Sequence, residues 1–195
     1  WFKLKESVPD SDGVYATEVG RYSGVVLAKV RNTPGPDYLD EATLTAKELY
    51  GSLLAAAVIQ AGESIQLNVN RATTLAAVRA GVDMDADSGV SPTLAPSAAV
   101  IWQSKQTVAQ ALGLTGVDLT TAVPETTVNA SAERVTGNAY GQRLAVLSGG
   151  ESVVGQFNTW LVALNQGIQE LDGQVVIRSA AANVLISGAA LVHIQ

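Results

Sequence analysis

Up to Asn70 the apolar positions of this chain alternate with polar ones or gather in short β-branched runs, and after Asn70 they recur every three or four residues. The first pattern is that of strands and the second that of helices. Phe2 and Leu4 alternate with Lys3 and Lys5, and Pro9 to Gly13 is a turn cluster. Val25 to Val30 is a strand-like run closed by Asn32-Thr33-Pro34-Gly35-Pro36. Leu53 to Ile59 precedes Gly62-Glu63, after which Ile65, Leu67 and Val69 alternate with Gln66, Asn68 and Asn70. The spacing predicts a hairpin between these two runs.

The helical part carries its own stop signals. A helix over 73–80 ends at Gly81, and one over 97–112 ends at Gly113, each glycine standing where a left-handed cap is wanted. Residues 83–96 read as a polar loop. A third helix is expected from about Ala130 to Leu147, with Ala132, Val135, Ala139, Tyr140, Leu144 and Leu147 on one face, broken by Ser148-Gly149-Gly150. Val153, Val154, Phe157, Trp160, Leu161, Leu164, Ile168 and Leu171 form the strongest stripe, read as one helix ending at Asp172-Gly173. A last helix over 175–192 is apolar nearly all round. The predicted class is α+β: a β-rich, sandwich-like region over 1–70, then a four- to five-helix bundle over 71–195, packed together as one unit.

Composition narrows the functions open to this fold. The 195 residues suit one domain or two small ones, and the absence of cysteine excludes disulfides, thiolate metal sites and a cysteine nucleophile. Twelve Lys+Arg against 18 Asp+Glu leave a net charge of −6, which argues against nucleic acid and anionic membranes as partners. The most apolar stretch, Ser179 to Ile194, is interrupted by Asn183, Ser187 and His193 and falls short of the roughly 18–20 apolar residues of a membrane span. The opening on Trp1 shows no signal-peptide pattern and reads as a piece of something longer.

Candidate chemistry is sparse. The single histidine, His193, leaves no partner for a two-histidine metal site and fits a core or helix-end position better than a triad. Gly150-Glu151-Ser152-Val153-Val154-Gly155 is one residue too long for a nucleophile elbow, and no glycine-rich phosphate loop occurs. Asp83, Asp85 and Asp87, with Ser91, place oxygen atoms at the alternate positions by which a loop wraps Ca²⁺. Ser88 and Leu94, however, stand where an EF-hand loop needs glycine and a bidentate glutamate. Asp37, Asp40 and Glu41 around Tyr38 are the acids a polysaccharide hydrolase would use. The simpler reading is that Asp40 or Thr43 caps a short helix through Glu48. Trp102 and Trp160 fall within helical stripes and are expected in the core.

Tyr38-Leu39-Asp40-Glu41-Ala42-Thr43 and Val69-Asn70-Arg71-Ala72-Thr73-Thr74-Leu75-Ala76-Ala77 carry a resemblance. They resemble a module of large proteobacterial cell-surface, adhesin-like proteins. In it an Ig-like or carboxypeptidase-regulatory-like β-sandwich leads through Tyr-x-Asp-Glu-Ala-Thr into Val-Thr-Pro-Leu-Thr-Thr-Leu-Ala and a helical bundle. Ala111-Leu112-Gly113-Leu114, Asp118-Leu119-Thr120-Thr121 with Pro124, and Ala139-Tyr140-Gly141 through Leu147-Ser148-Gly149 extend the likeness over most of the chain. Asn70-Arg71-Ala72 departs from it, standing where the module has Thr-Pro-Leu. The resemblance implies a non-enzymatic structural or adhesive role outside the cell or on its surface, with neighbouring domains or other subunits as partners and no cofactor beyond the Ca²⁺ considered above. A related expectation is a homopolymeric extracellular filament in which Trp1, Phe2 and Leu4 add as a strand to a neighbour's sheet.

Overall fold

The computed structural model describes residues 6–8, 15–84, 95–129 and 131–192, and the chain is α+β. Strand β1 (Gly24–Arg31) pairs antiparallel with β4 (Ser52–Ile59), from Gly24 opposite Ile59 to Arg31 opposite Ser52. The connection between them folds back as a small ribbon, β2 (Tyr38–Asp40) with β3 (Thr45–Lys47). Among the described residues the strands form three two-stranded antiparallel ribbons, the third being β5 (Ile168–Leu171) with β6 (Gln174–Ile177). Leu53 to Ile59 therefore finds its partner in β1 and not in the alternating run after Gly62. That run is drawn elsewhere by its polar positions: the Asn68 N–H donates to Thr120 O at 2.7 Å, and its side-chain amide donates to Ala122 O.

Helix α1 (Arg71–Arg79) is the centre of the molecule, with Ala72 to Ala77 all buried. It starts where the apolar period changes because Asn70 caps it. The Asn70 side-chain oxygen accepts the N–H groups of Ala72 and Thr73, both at 3.0 Å, while Thr73 Oγ1 accepts the Asn70 N–H at 2.9 Å. This reciprocal box satisfies donors that a helix start otherwise leaves open. On one side α1 lies against the β1–β4 ribbon, closing a cluster of Leu54, Ala56, Ala77, Ala80, Val82 and Ile101. On the other it meets the main core, where Leu75, Val108, Leu119, Leu147, Trp160 and Leu164 are fully buried. Asn70→Ala should cost about 1–2 kcal/mol, seen as a lower urea midpoint at unchanged m value.

Helix α2 (Ala98–Ala111) follows the expected span, capped by Ser97 and stopped before a left-handed Gly113. Its Trp102 is 59 % exposed, so the expected core position is corrected: Ile101, Ser104, Thr107 and Val108 form the buried face and Trp102 lies off it. Trp160, by contrast, is completely buried. The third helix also departs from expectation. Helix α3 (Ala139–Val154) begins at an Asn138 cap and continues straight through Ser148-Gly149-Gly150 to a left-handed Gly155. The glycines do not break the helix because they face helix α5 (Ser179–Val192) at close range, where a side chain would collide. Upstream, the described residues from Thr126 to Asn138 form no helix; Val128 and Arg134 pair in an isolated antiparallel bridge.

The long stripe is divided. Gly155 ends α3, and Phe157, Trp160, Leu161 and Leu164 bury one face of α4 (Phe157–Gly167). The chain then turns to strand at Ile168, and Asp172-Gly173, both at positive φ, make the two-residue turn of the β5–β6 hairpin. The last helix consequently starts at Ser179, four residues later than its apolar composition suggests. Among the described residues no helix is long and apolar enough to cross a membrane.

Candidate functional site

A dense cluster of engaged polar groups lies between the β2–β3 ribbon and α3. It begins with Asp40, the last residue of β2, which is fully buried. The chain turns over 41–44 through a left-handed Leu44, whose N–H donates to Asp40 O at 2.8 Å. The turn places the Asp40 carboxylate against α3. One oxygen accepts the Ala42 N–H at 3.0 Å and the Ser148 hydroxyl at 2.5 Å. The other accepts the Thr43 hydroxyl at 2.7 Å and lies 3.0 Å from Ser152 Oγ and 2.6 Å from Lys47 Nζ. Asp40 thus caps a turn leading into β3, not the short helix expected through Glu48.

Burial by itself would raise the Asp40 pKa, but the hydrogen bonds from Lys47, Ser148, Thr43 and the Ala42 N–H outweigh it and hold the carboxyl far below the ordinary range. Lys47 also donates to Ser152 Oγ at 2.6 Å. A serine beside a lysine acts as nucleophile and base where the amine sheds its proton. Here the amine is paired with the Asp40 carboxylate at 2.6 Å.

The neighbouring acids are engaged with backbone. Asp37, exposed, accepts the Leu49 N–H at 2.8 Å and the Thr33 hydroxyl and N–H at 2.7 and 3.2 Å; these bonds lower its pKa, the Leu49 contact most. Glu41 accepts the Thr126 hydroxyl at 2.7 Å and both the N–H and hydroxyl of Thr127 at 2.9 and 2.5 Å. Arg134 donates to the carbonyls of Glu41 and Ala42 at 3.0 and 2.7 Å. Asp40, Glu41 and the Ala42 carbonyl therefore tether the turn to other parts of the chain, while Thr43 bonds within it.

The segment from Asn70 to Thr74 meets that from Tyr38 to Thr43 here. Arg71, the first residue of α1, donates through Nε to Glu151 of α3 at 2.5 Å and through Nη2 to the Tyr38 hydroxyl at 2.7 Å, with its guanidinium carbon 4.8 Å from the Tyr38 ring centre. Burial raises the Tyr38 pKa, with the Arg71 charge opposing it. Asn70 donates to the Tyr140 hydroxyl at 2.9 Å, which donates in turn to Leu119 O at 2.6 Å; burial pushes that phenol up to about 12. Thr74 Oγ1 accepts the Leu54 N–H at 2.9 Å, fastening α1 to β4. Sequence reasoning dismisses Glu151 and Ser152 as a nucleophile elbow and misses their place here with Ser148, because an expected break at Ser148 removes the helix on which Ser148 and Ser152 stand one turn apart.

Asp83 is exposed just after α1, while Asp85, Asp87 and Ser91 lie outside the described residues, as do Trp1, Phe2, Leu4 and His193. Among the described residues no group of three or more His, Cys, Asp or Glu could hold a metal ion. In comparisons with known proteins, no family model, no curated protein and no solved structure matches the chain.

Proposed function

We propose that this chain is a non-enzymatic structural or adhesive module of an extracellular bacterial surface protein. The observation that carries the reading is the convergence of Tyr38 to Thr43 and Asn70 to Thr74 on one buried seam, where carboxylates, hydroxyls and guanidinium are used in holding four elements together. Asp37, Asp40 and Glu41, the acids of a polysaccharide hydrolase, are bound into turns, and a carboxyl held as far into its ionised form as Asp40 is a poor general acid. In this reading residues 1–70 remain a β-rich, sandwich-like region and 71–195 the bundle it packs on. Protease treatment of intact producing cells should release peptides of this chain. Release only after lysis would sink the assignment.

A second reading, a filament subunit assembled by strand addition, is favoured by β1. Among the described residues β1 has a strand neighbour on one side only, the kind of edge that accepts an added strand such as Trp1–Lys5 of another copy. Light scattering after size exclusion, with negative-stain images of the same fractions, separates the two. A compact monomer supports the single module. A regular polymer that is lost on deleting Trp1–Lys5 supports the filament, and a polymer that survives the deletion removes strand addition by that segment.

A further inference from the structure

At the opposite end of α1 from the Asp40 seam, a groove of about 380 Å³ opens between the end of α1, one face of α2, the end of α4 and strand β5. Its walls are Arg79, Gln103, Ser104, Thr107, Asn165 and Glu170, with no apolar side chain among them. Two of these groups are already set in place. Glu170 accepts from the Thr107 hydroxyl and, at 3.1 Å, from the Gln103 amide. The Thr107 hydrogen bond, more than any other contact, lowers the Glu170 pKa and so keeps it an acceptor. Arg79 donates through Nη1 to Ile168 O at 2.7 Å and Asn165 O at 3.4 Å, tying the guanidinium to the end of α4.

The remaining groups are unengaged. Ser104 is only 6 % exposed as a residue, and its hydroxyl, which makes no hydrogen bond with any described residue, opens onto the groove. The Asn165 side-chain amide and Nη2 of Arg79 likewise have no partner among the described residues. A hydroxyl in the groove wall without a protein partner is free to bond a ligand in place of water. Here it is grouped with a free amide, a free guanidinium edge and a fixed carboxylate.

We propose that this groove binds a neutral, hydroxyl-rich small molecule, with a single sugar ring as the ligand class. Charge and polarity choose the class. Arg79 and Glu170 offset each other, so neither an anion nor a cation meets a net complementary field, and a hydrocarbon ligand finds no apolar wall. Hydroxyls, which donate and accept, are matched by a carboxylate that only accepts, a guanidinium that only donates, and a serine and an asparagine that do both. The volume lies at the small end of ligand pockets. Without an aromatic face in the wall the ring is held by hydrogen bonds alone, giving a dissociation constant on the order of millimolar. The groove shares no residue with the Asp40 seam, and the proposal stands whether or not the chain is displayed on a surface.

The test is a two-dimensional amide NMR titration of the full chain with glucose, galactose, mannose and N-acetylglucosamine, with acetate and methylamine as charged comparators. At least one sugar should give saturable shifts at the amides of Ser104, Thr107 and Asn165, with neither comparator doing so. Ser104→Ala and Asn165→Ala each remove a hydrogen-bonding group without adding volume. With the folded spectrum retained, either should weaken the binding about threefold or more, the loss of one hydrogen bond. No saturable shift up to about 100 mM of any sugar, equal binding of acetate or methylamine, or affinity unchanged in both variants would overturn the proposal.

Discussion

Gly188→Ala should lower the unfolding free energy by about 3 kcal/mol or more, because α3 and α5 approach too closely there for a side chain. A Cβ built at Gly188 would stand 2.0 Å from Val146 O and 2.7 Å from Gly150 N. Both are backbone atoms inside a helix and cannot swing away as a flexible side chain would. The helices must separate, which loosens the contact of Ala145 and Val146 with Val192 and of Gly150 with Val184. Because interiors are close-packed, the strain spreads instead of being absorbed in a void. Chemical unfolding followed by circular dichroism measures the loss. The exposed Asn183→Ala on the same helix serves as reference, expected within about 0.5 kcal/mol of the parent. A loss below about 1 kcal/mol at Gly188 would mean that α5 does not sit this close to α3.

Asp40→Asn keeps the shape of the side chain and removes its charge. The expected cost is about 2–4 kcal/mol, below the full value for breaking a buried ion pair because Lys47 is 30 % exposed and regains part of its hydration. The sign of the pH dependence follows from the lowered pKa of Asp40 in the folded state. A depressed carboxyl contributes its full stabilisation above the unfolded-state value of about 3.9 and loses it progressively as pH falls below that, toward the folded value. Parent and variant should therefore differ most near pH 7 and converge as pH falls from about 5 to 3. Asp118 is also depressed: burial opposes the shift, but hydrogen bonds from Thr120 and the nearby Lys105 prevail. The variant thus keeps some acid lability of its own. A constant gap across that range would show that Asp40 does not carry the charge that holds the seam.

Local signals proved sufficient where the cause of structure is local. Asn70 and Ser97 cap helices because their side chains reach N–H groups two or three residues on, and Gly113 stops α2 because it takes a left-handed conformation. The apolar faces of α1 and α4 were readable for the same reason. Gly149 and Gly150 misled because glycine has two uses, ending a helix and admitting a neighbouring backbone, and α5 lies about forty residues further along the chain. The stripe through Leu171 overran because Ile168 belongs to the same core as Leu164 although it sits on a strand. Periodicity records which residues are buried, not which backbone buries them.

The seam divides along the same line. Tyr38 to Thr43 and Asn70 to Ala77 stood out in the sequence, but nothing in it placed Arg71 beside Tyr38 or Asp40 beside Ser148, 108 positions away. The sequence by itself determined the α+β class, the span of α2, the apolar face of α4 and the scarcity of catalytic groups, all of which depend on residue type and neighbours within a turn or two. Only the tertiary structure decided the pairing of β1 with β4, the passage of α3 through its glycines, the burial of Asp40 against Lys47 and the unpartnered hydroxyl of Ser104. Those depend on which distant surfaces meet, and the free energy of that choice belongs to packing and hydrogen bonds shared between segments, which no single segment encodes.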